Sequence, residues 1–144
     1  MSENIDQVVV TGSAKGFLQN VRIGRHELRA DEPIALGGTD EGPDPYALLL
    51  ASLGSCTSMT IALYARRKSI PLESVTVRLS HAKIHAEDCA HCETRTGRVD
   101  RIERTVELVG DLTEEQRASL LAIANKCPVH RTLIAEIDIV TILG

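Results

Sequence analysis

Four cysteines in 144 residues are the side chains best equipped for chemistry. Cys56 and Cys127 stand far apart in the chain, while Cys89 and Cys92 form the tight run Cys-Ala-His-Cys. The thiolate is the nucleophile and the metal ligand, so a reactive cysteine needs surroundings that favour the anion. Cys127 has local help. Pro128 follows it directly, and a helix beginning there leaves Cys127 at an amino terminus, where free amides and the helix dipole favour negative charge. His130 and Arg131 follow one turn on. Cys56 lacks such help and needs a cation from elsewhere in the fold, for which Arg22, Arg25 and Arg29 are the obvious reservoir. The competing reading is that a buried cysteine merely packs as a small hydrophobe. Spacing alone does not bring the Cα atoms of Cys56 and Cys127 within the roughly 7 Å that a disulfide requires.

The second pair has three readings. A Cys-x-x-Cys knuckle is half of a zinc site that a histidine could complete, with His91 between the two and His81 and His85 upstream. It is equally a reversible disulfide, or part of a plain polar loop. His26 and His130 stand alone and read as surface or hydrogen-bonded residues rather than ligands, although His130 lies close to Cys127.

The elements that must position these residues follow from pattern. Val8 to Thr11, Phe17 to Ile23 and Glu27 to Ala30 read as a small antiparallel meander turned at Gly24, and Leu36 to Pro43 as a loop. Asp44 before Pro45 is a helix start, since the Asp oxygen can accept from the first free amides and Pro fits the first helical position. The helix runs to about Lys68. Its apolar stripe is Tyr46, Leu49, Leu50, Leu53, Thr57, Thr60, Ile61 and Tyr64. Cys56 lies along that stripe in mid-helix, with Gly54 and Ser55 leaving room beside it.

Val75, Val77 and Leu79 alternate with polar residues in a strand that continues to His85, and Ala86 to Gly97 is a polar loop. Ile102, Val106 and Leu108 mark another strand up to Val109. Thr113 with Gln116 forms a capping box for a second helix whose apolar face is Leu120, Leu121, Ile123 and Ala124, with Cys127 leaving on the buried side. Ile137 to Leu143 reads as a closing strand. The order predicts an α+β fold, a mainly antiparallel sheet packed on two helices, in a single domain over residues 1–144.

Composition excludes other classes. Sixteen basic against 20 acidic residues give a net charge of -4, and Phe17, Tyr46 and Tyr64 are the only aromatic residues. Neither a basic patch nor stacking faces are available, so no nucleic acid is expected as a partner. Met1 to Val10 lacks the basic start and apolar run of a secretory signal. The longest apolar run, Tyr46 to Leu53, falls short of the roughly 18 residues that span a bilayer. A soluble cytoplasmic protein without membrane contact is expected, in which four cysteines do not form a structural disulfide framework.

The run GPDPYALLLASLGSCTSMT, from Gly42 to Thr60, and the run KCPVHRTL, from Lys126 to Leu133, resemble the two cysteine motifs of the OsmC and organic hydroperoxide resistance family. The likeness spans nearly the whole chain. In that family a proline precedes the first cysteine by eleven residues, an interval that Pro45 and Cys56 keep, and the second motif is Cys followed by Pro, as in Cys127 and Pro128. The resemblance implies an intertwined homodimer with sites near the subunit interface and thiol peroxidase chemistry without cofactor or metal. Carried onto matching positions, Cys56 is the peroxidatic residue that attacks an organic hydroperoxide and Cys127 resolves its sulfenic acid as a disulfide, which a cellular dithiol reduces. In the better characterised branches a glutamate follows the proline and helps hold an arginine over the thiolate; here that position is Tyr46. The chain is more similar to a less characterised branch, in which the domain is sometimes fused to a hydrolase. Tyr46 motivates an alternative of another class, a module without turnover that binds an apolar ligand or holds zinc at Cys89 and Cys92. A scaffold whose cysteines only pack is the third reading.

Overall fold

The computed structural model describes residues 7–144. The acidic start of the chain therefore lies mostly outside the described residues. The chain divides into two compact units, Met1–Leu49 and Leu50–Gly144.

In the first unit β1 (Val8–Gly12), β2 (Gln19–Ile23) and β3 (His26–Ala30) form an antiparallel three-stranded meander in that order. Ile23 pairs with His26, so Gly24 and Arg25 alone make the turn. Gly24 has φ 57°, a left-handed conformation that glycine adopts without a Cβ penalty. After β3 the chain is organised by the buried carboxylate of Asp31. It accepts from the Glu32 amide (2.8 Å), the Thr39 amide (3.3 Å), the Thr39 hydroxyl (2.7 Å) and the Glu41 amide (3.1 Å). The Thr39 hydroxyl is the main cause that holds Asp31 below the usual carboxylate range, against the opposing effect of burial.

The second unit is reached along α1 (Pro45–Arg67). Asp44 caps it as its sequence predicts, with Oδ1 accepting from the Ala47 amide at 2.8 Å. From Leu50 onward the helix buries Leu53, Gly54, Thr57, Ile61 and Ala65, the three-four spacing of one face. Two long strands follow, β4 (Leu72–His85) and β5 (Arg98–Gly110), paired antiparallel through the loop 86–97. Val75, Val77 and Leu79 stand opposite Leu108, Val106 and Arg104, so one face of this ribbon carries the aliphatic row. The second helix, α2 (Glu114–Ile123), starts on the expected capping box, in which Thr113 and Gln116 satisfy each other's amides. A third helix, α3 (Pro128–Ile134), follows Cys127.

Ile61, Ala65, Leu120 and Ala124 form the centre of the core, flanked by Tyr64, Val75, Val106 and Leu108. Leu120 is fully buried. Truncation leaves a cavity as well as losing transfer free energy, so Leu120→Ala is expected to cost about 3 kcal/mol, read as a lower midpoint in urea with an unchanged slope.

Three expectations change. The described residues hold a three-stranded and a two-stranded antiparallel sheet rather than one. Ile137 to Leu143 is not a strand, and Ile139, Val140, Ile142 and Leu143 are exposed. Its alternation of apolar residues is genuine, but strand structure requires an edge to pair with, and among the described residues this segment pairs with none. The count of consecutive apolar residues also understated α1, which is long and apolar enough, by length and composition, to cross a membrane. Serine, threonine and glycine interrupt its run without adding charge. Its inner face nevertheless packs in the core, where Ile61 and Ala65 meet α2.

Candidate active site

The middle of α1, the centre of β5 and the junction of α2 with α3 converge on Cys127. This thiol is fully buried. It occupies the cap position of α3, with Pro128 at the first helical residue, and its Sγ accepts from the His130 amide at 3.3 Å. The helix start inferred from Cys-Pro is therefore present, and the sulfur lies where free amides point. A 3₁₀ turn over Ala124–Lys126 carries the chain from α2 into this position.

Cys56 reaches the same place from α1. It is partly exposed, its thiol is free, and it hydrogen-bonds to the Cys127 sulfur. The next residue, Thr57, is fully buried, with its Oγ1 at 3.8 Å from Cys127 Sγ. That hydroxyl also lies 2.7 Å from the Leu53 carbonyl oxygen. It has one proton, which can serve either the carbonyl or a thiolate at Cys127. The helix comes close to the ribbon here, since a Cβ on Gly54 would stand 2.8 Å from Leu79 Cδ1.

The cation of this cluster is Arg104. Its Nη1 donates to Thr57 Oγ1 at 2.9 Å, and its Nη2 lies 3.1 Å from Asn125 Oδ1 and 3.3 Å from His130 Nδ1. Because a guanidinium only donates, Nδ1 of His130 must accept and its proton sits on Nε2. Burial, then the positive charge of Arg104, push His130 below its ordinary value, which keeps it neutral. The fork of one arginine thus ties α1, the 3₁₀ turn and α3 to β5.

These contacts decide the state of Cys127. Burial raises the pKa of its thiol, but the His130 amide, the Cys56 thiol, the Thr57 hydroxyl and the Arg104 charge together outweigh it and bring the pKa below the ordinary thiol value. Two cysteines so placed can share one proton, and they can be joined or separated by oxidation and reduction.

Both cysteines singled out in the sequence therefore meet, and the cation beside Cys127 is Arg104, which was not among the residues singled out. Arg22, Arg25 and Arg29 belong to the first unit, where Arg29 pairs with Glu41 at 3.3 Å. Arg104, Thr57 and Asn125 were not recognised as site residues. A signal for Arg104 existed: it shares the period-two row of Ile102, Val106 and Leu108, and a charge on an otherwise aliphatic face needs a partner. His130, read as a surface or hydrogen-bonded residue, is half-buried and hydrogen-bonded. Cys89 and Cys92 are joined as a disulfide, so in this form they offer no thiolates to zinc.

The model of the family described as OsmC-like protein matches residues 38–141, and the chain belongs to that family. Among solved structures it is similar to an OsmC-like protein from Mycoplasma pneumoniae, with a TM-score of 0.70 at 18% identity over 92% of this chain and 89% of that one. An organic hydroperoxide resistance protein OsmC from Legionella pneumophila superposes with a TM-score of 0.66 at 20% identity, covering 93% of this chain and 92% of the other. One from Elizabethkingia anophelis gives 0.65 at 19%, over 92% and 91%. At these identities the likeness establishes the fold. No curated protein matches the chain.

Proposed function

We propose that the protein is a thiol peroxidase that reduces organic hydroperoxides through Cys56 and Cys127. The observation that carries this reading is the contact between the Cys56 thiol and a Cys127 sulfur whose pKa is lowered by its surroundings. The names of the Legionella and Elizabethkingia structures support the substrate class.

Cys56, the more exposed of the two, meets the peroxide. The Cys127 thiolate takes its proton, and the Cys56 sulfur attacks the outer oxygen of the hydroperoxide. The O–O bond breaks, the alkoxide leaves and recovers a proton from Cys127 as an alcohol, and Cys56 becomes a sulfenic acid. Cys127, again a thiolate, attacks that sulfur and displaces hydroxide, which takes a proton from the solvent to leave as water, forming the Cys56–Cys127 disulfide. A dithiol of the cell then donates two electrons and two protons to regenerate both thiols. Arg104 holds the Thr57 hydroxyl and His130 against Cys127 throughout.

The working unit in this reading is a homodimer. Support comes from the second unit, where Met59 and Leu63 on the outer side of α1 and Ile139, Val140 and Ile142 of the C-terminal segment remain exposed. Exposed apolar side chains such as these are what a subunit interface would cover. A thiol pair that must be returned to the reduced form suits a cytoplasmic setting. Zinc binding at Cys89 and Cys92 is not favoured, because those thiols are joined.

The test is steady-state consumption of an alkyl hydroperoxide by the protein with a dithiol reductant. Turnover with release of one alcohol per peroxide is expected. Failure of the reduced protein to consume peroxide above the rate of free cysteine would remove the proposal.

A further inference from the structure

The loop 86–97 joins β4 to β5 and carries the disulfide Cys89–Cys92. The two Cα atoms are 5.5 Å apart, a separation that a disulfide spans. A disulfide that stabilises a fold does so by closing a long loop in the unfolded chain. This one spans three residues inside a loop whose ends are already held. His85 pairs with Arg98, and the Ala86 amide donates to the Gly97 carbonyl at 2.8 Å. The bridge therefore adds little constraint to the fold.

Access to the two sulfurs differs. Cys89 is 7% exposed and follows a 3₁₀ turn, its amide donating to the Ala86 carbonyl at 3.1 Å. Cys92 is partly exposed between the exposed residues His91 and Glu93. The same loop borders a cleft of about 420 Å³ lined by His85, Glu87, Arg95, Thr96, Gly97 and Arg98, which leaves room for an incoming molecule. Among the described residues no group of three or more His, Cys, Asp or Glu side chains is arranged to hold a metal ion.

The loop is also remote from the site described above. Arg104 stands opposite Leu79 and Arg98 opposite His85. Six residues of strand separate these pairs, roughly 20 Å at the rise of a β-strand. Within one chain the bridge cannot exchange directly with Cys56 and Cys127.

We propose that Cys89–Cys92 is a second thiol–disulfide exchange site, which accepts two electrons from a dithiol through attack at Cys92. A thiolate of the reductant bonds to Cys92 Sγ, the Cys89–Cys92 bond breaks, and Cys89 leaves as a thiolate that takes up a proton. The second thiol of the reductant then attacks the mixed disulfide, releasing Cys92 and closing the reductant's own disulfide. Run in reverse, the same exchange returns the electrons to an oxidised dithiol. The site is independent of the peroxidase reading.

The test uses the full chain carrying Cys56→Ser and Cys127→Ser, so that only this pair reports. The oxidised protein is equilibrated with dithiothreitol, with thioredoxin or with glutathione, then alkylated and mapped by mass. The expected result is reversible reduction of the pair in the folded protein, with either dithiol at least about tenfold faster than glutathione at equal thiol concentration. The faster of the two dithiols shows whether the source is a protein or a small molecule. Thioredoxin lacking its second active-site cysteine should be captured on Cys92. Melting temperatures of the oxidised and reduced forms should agree within about 3 °C. Reduction only in denaturant, a fall of more than about 10 °C on reduction, or stoichiometric zinc uptake that blocks alkylation would each overturn the proposal.

Discussion

Replacing Cys56 with serine is expected to lower hydroperoxide consumption by at least about a thousandfold, with the fold intact. A serine hydroxyl is of similar size but is not ionised near neutral pH and forms no sulfenic acid. Cys127, whose pKa is lowered, remains in this variant, so the comparison separates two assignments of roles. Cys127 is fully buried and Cys56 only partly so, which in the proposed reading makes Cys56 the first to meet an alkyl peroxide. The companion variant Cys127→Ser, which loses the base together with the resolving thiol, should consume one equivalent of peroxide more slowly and then stall, with sulfenic acid trapped at Cys56 by a dimedone probe. Full activity in Cys56→Ser, with sulfenic acid trapped at Cys127 in that variant, would transfer the attacking role to Cys127.

The second large effect is expected at Arg104. Its guanidinium supplies positive charge to Cys127 and also fixes Thr57, Asn125 and His130 through its two terminal nitrogens. Arg104→Met keeps the length of the side chain and removes both functions. With the charge gone, the pKa of Cys127 rises, since desolvation is then opposed only by the remaining hydrogen bonds. The sign is fixed: the thiolate exists above its pKa, so the rising limb of activity against pH must move to higher pH. A shift of about one unit lowers the rate at neutral pH about tenfold and is recovered in alkaline buffer. Arg104→Lys restores the charge without the fork, and so returns the pH profile further than the maximal rate. An unchanged pH profile in Arg104→Met would show that the arginine only braces the helices.

Much of this arrangement was legible before any coordinates. Asp44-Pro45 and Thr113 with Gln116 start helices because each satisfies free amides locally, and local chemistry is visible in sequence. Cys127 as a helix cap followed from the same reasoning. The meeting of Cys56 with Cys127 was different: it depends on α1 crossing β4 and β5 at Gly54 and Leu79, a tertiary fact that spacing does not encode. Family motifs supplied that expectation. Arg104 was passed over because a strand was read by its apolar residues, and the charged member of the row at 102, 104, 106 and 108 was treated as a gap. The closing segment from Ile137 to Leu143 failed for the opposite reason, because its alternation is that of a strand while among the described residues it pairs with no edge. Cys89 and Cys92 were left open among three states, since two thiols three residues apart suit a metal, a disulfide or neither.

The central claim is that Cys56 and Cys127 form one redox couple. It is tested most directly by adding one equivalent of an alkyl hydroperoxide to the fully reduced protein, alkylating at once, and mapping every disulfide by mass. The account predicts a Cys56–Cys127 bridge in stoichiometric yield, with alcohol released in equal amount. Recovery of both residues as alkylated thiols after the peroxide is spent would contradict it.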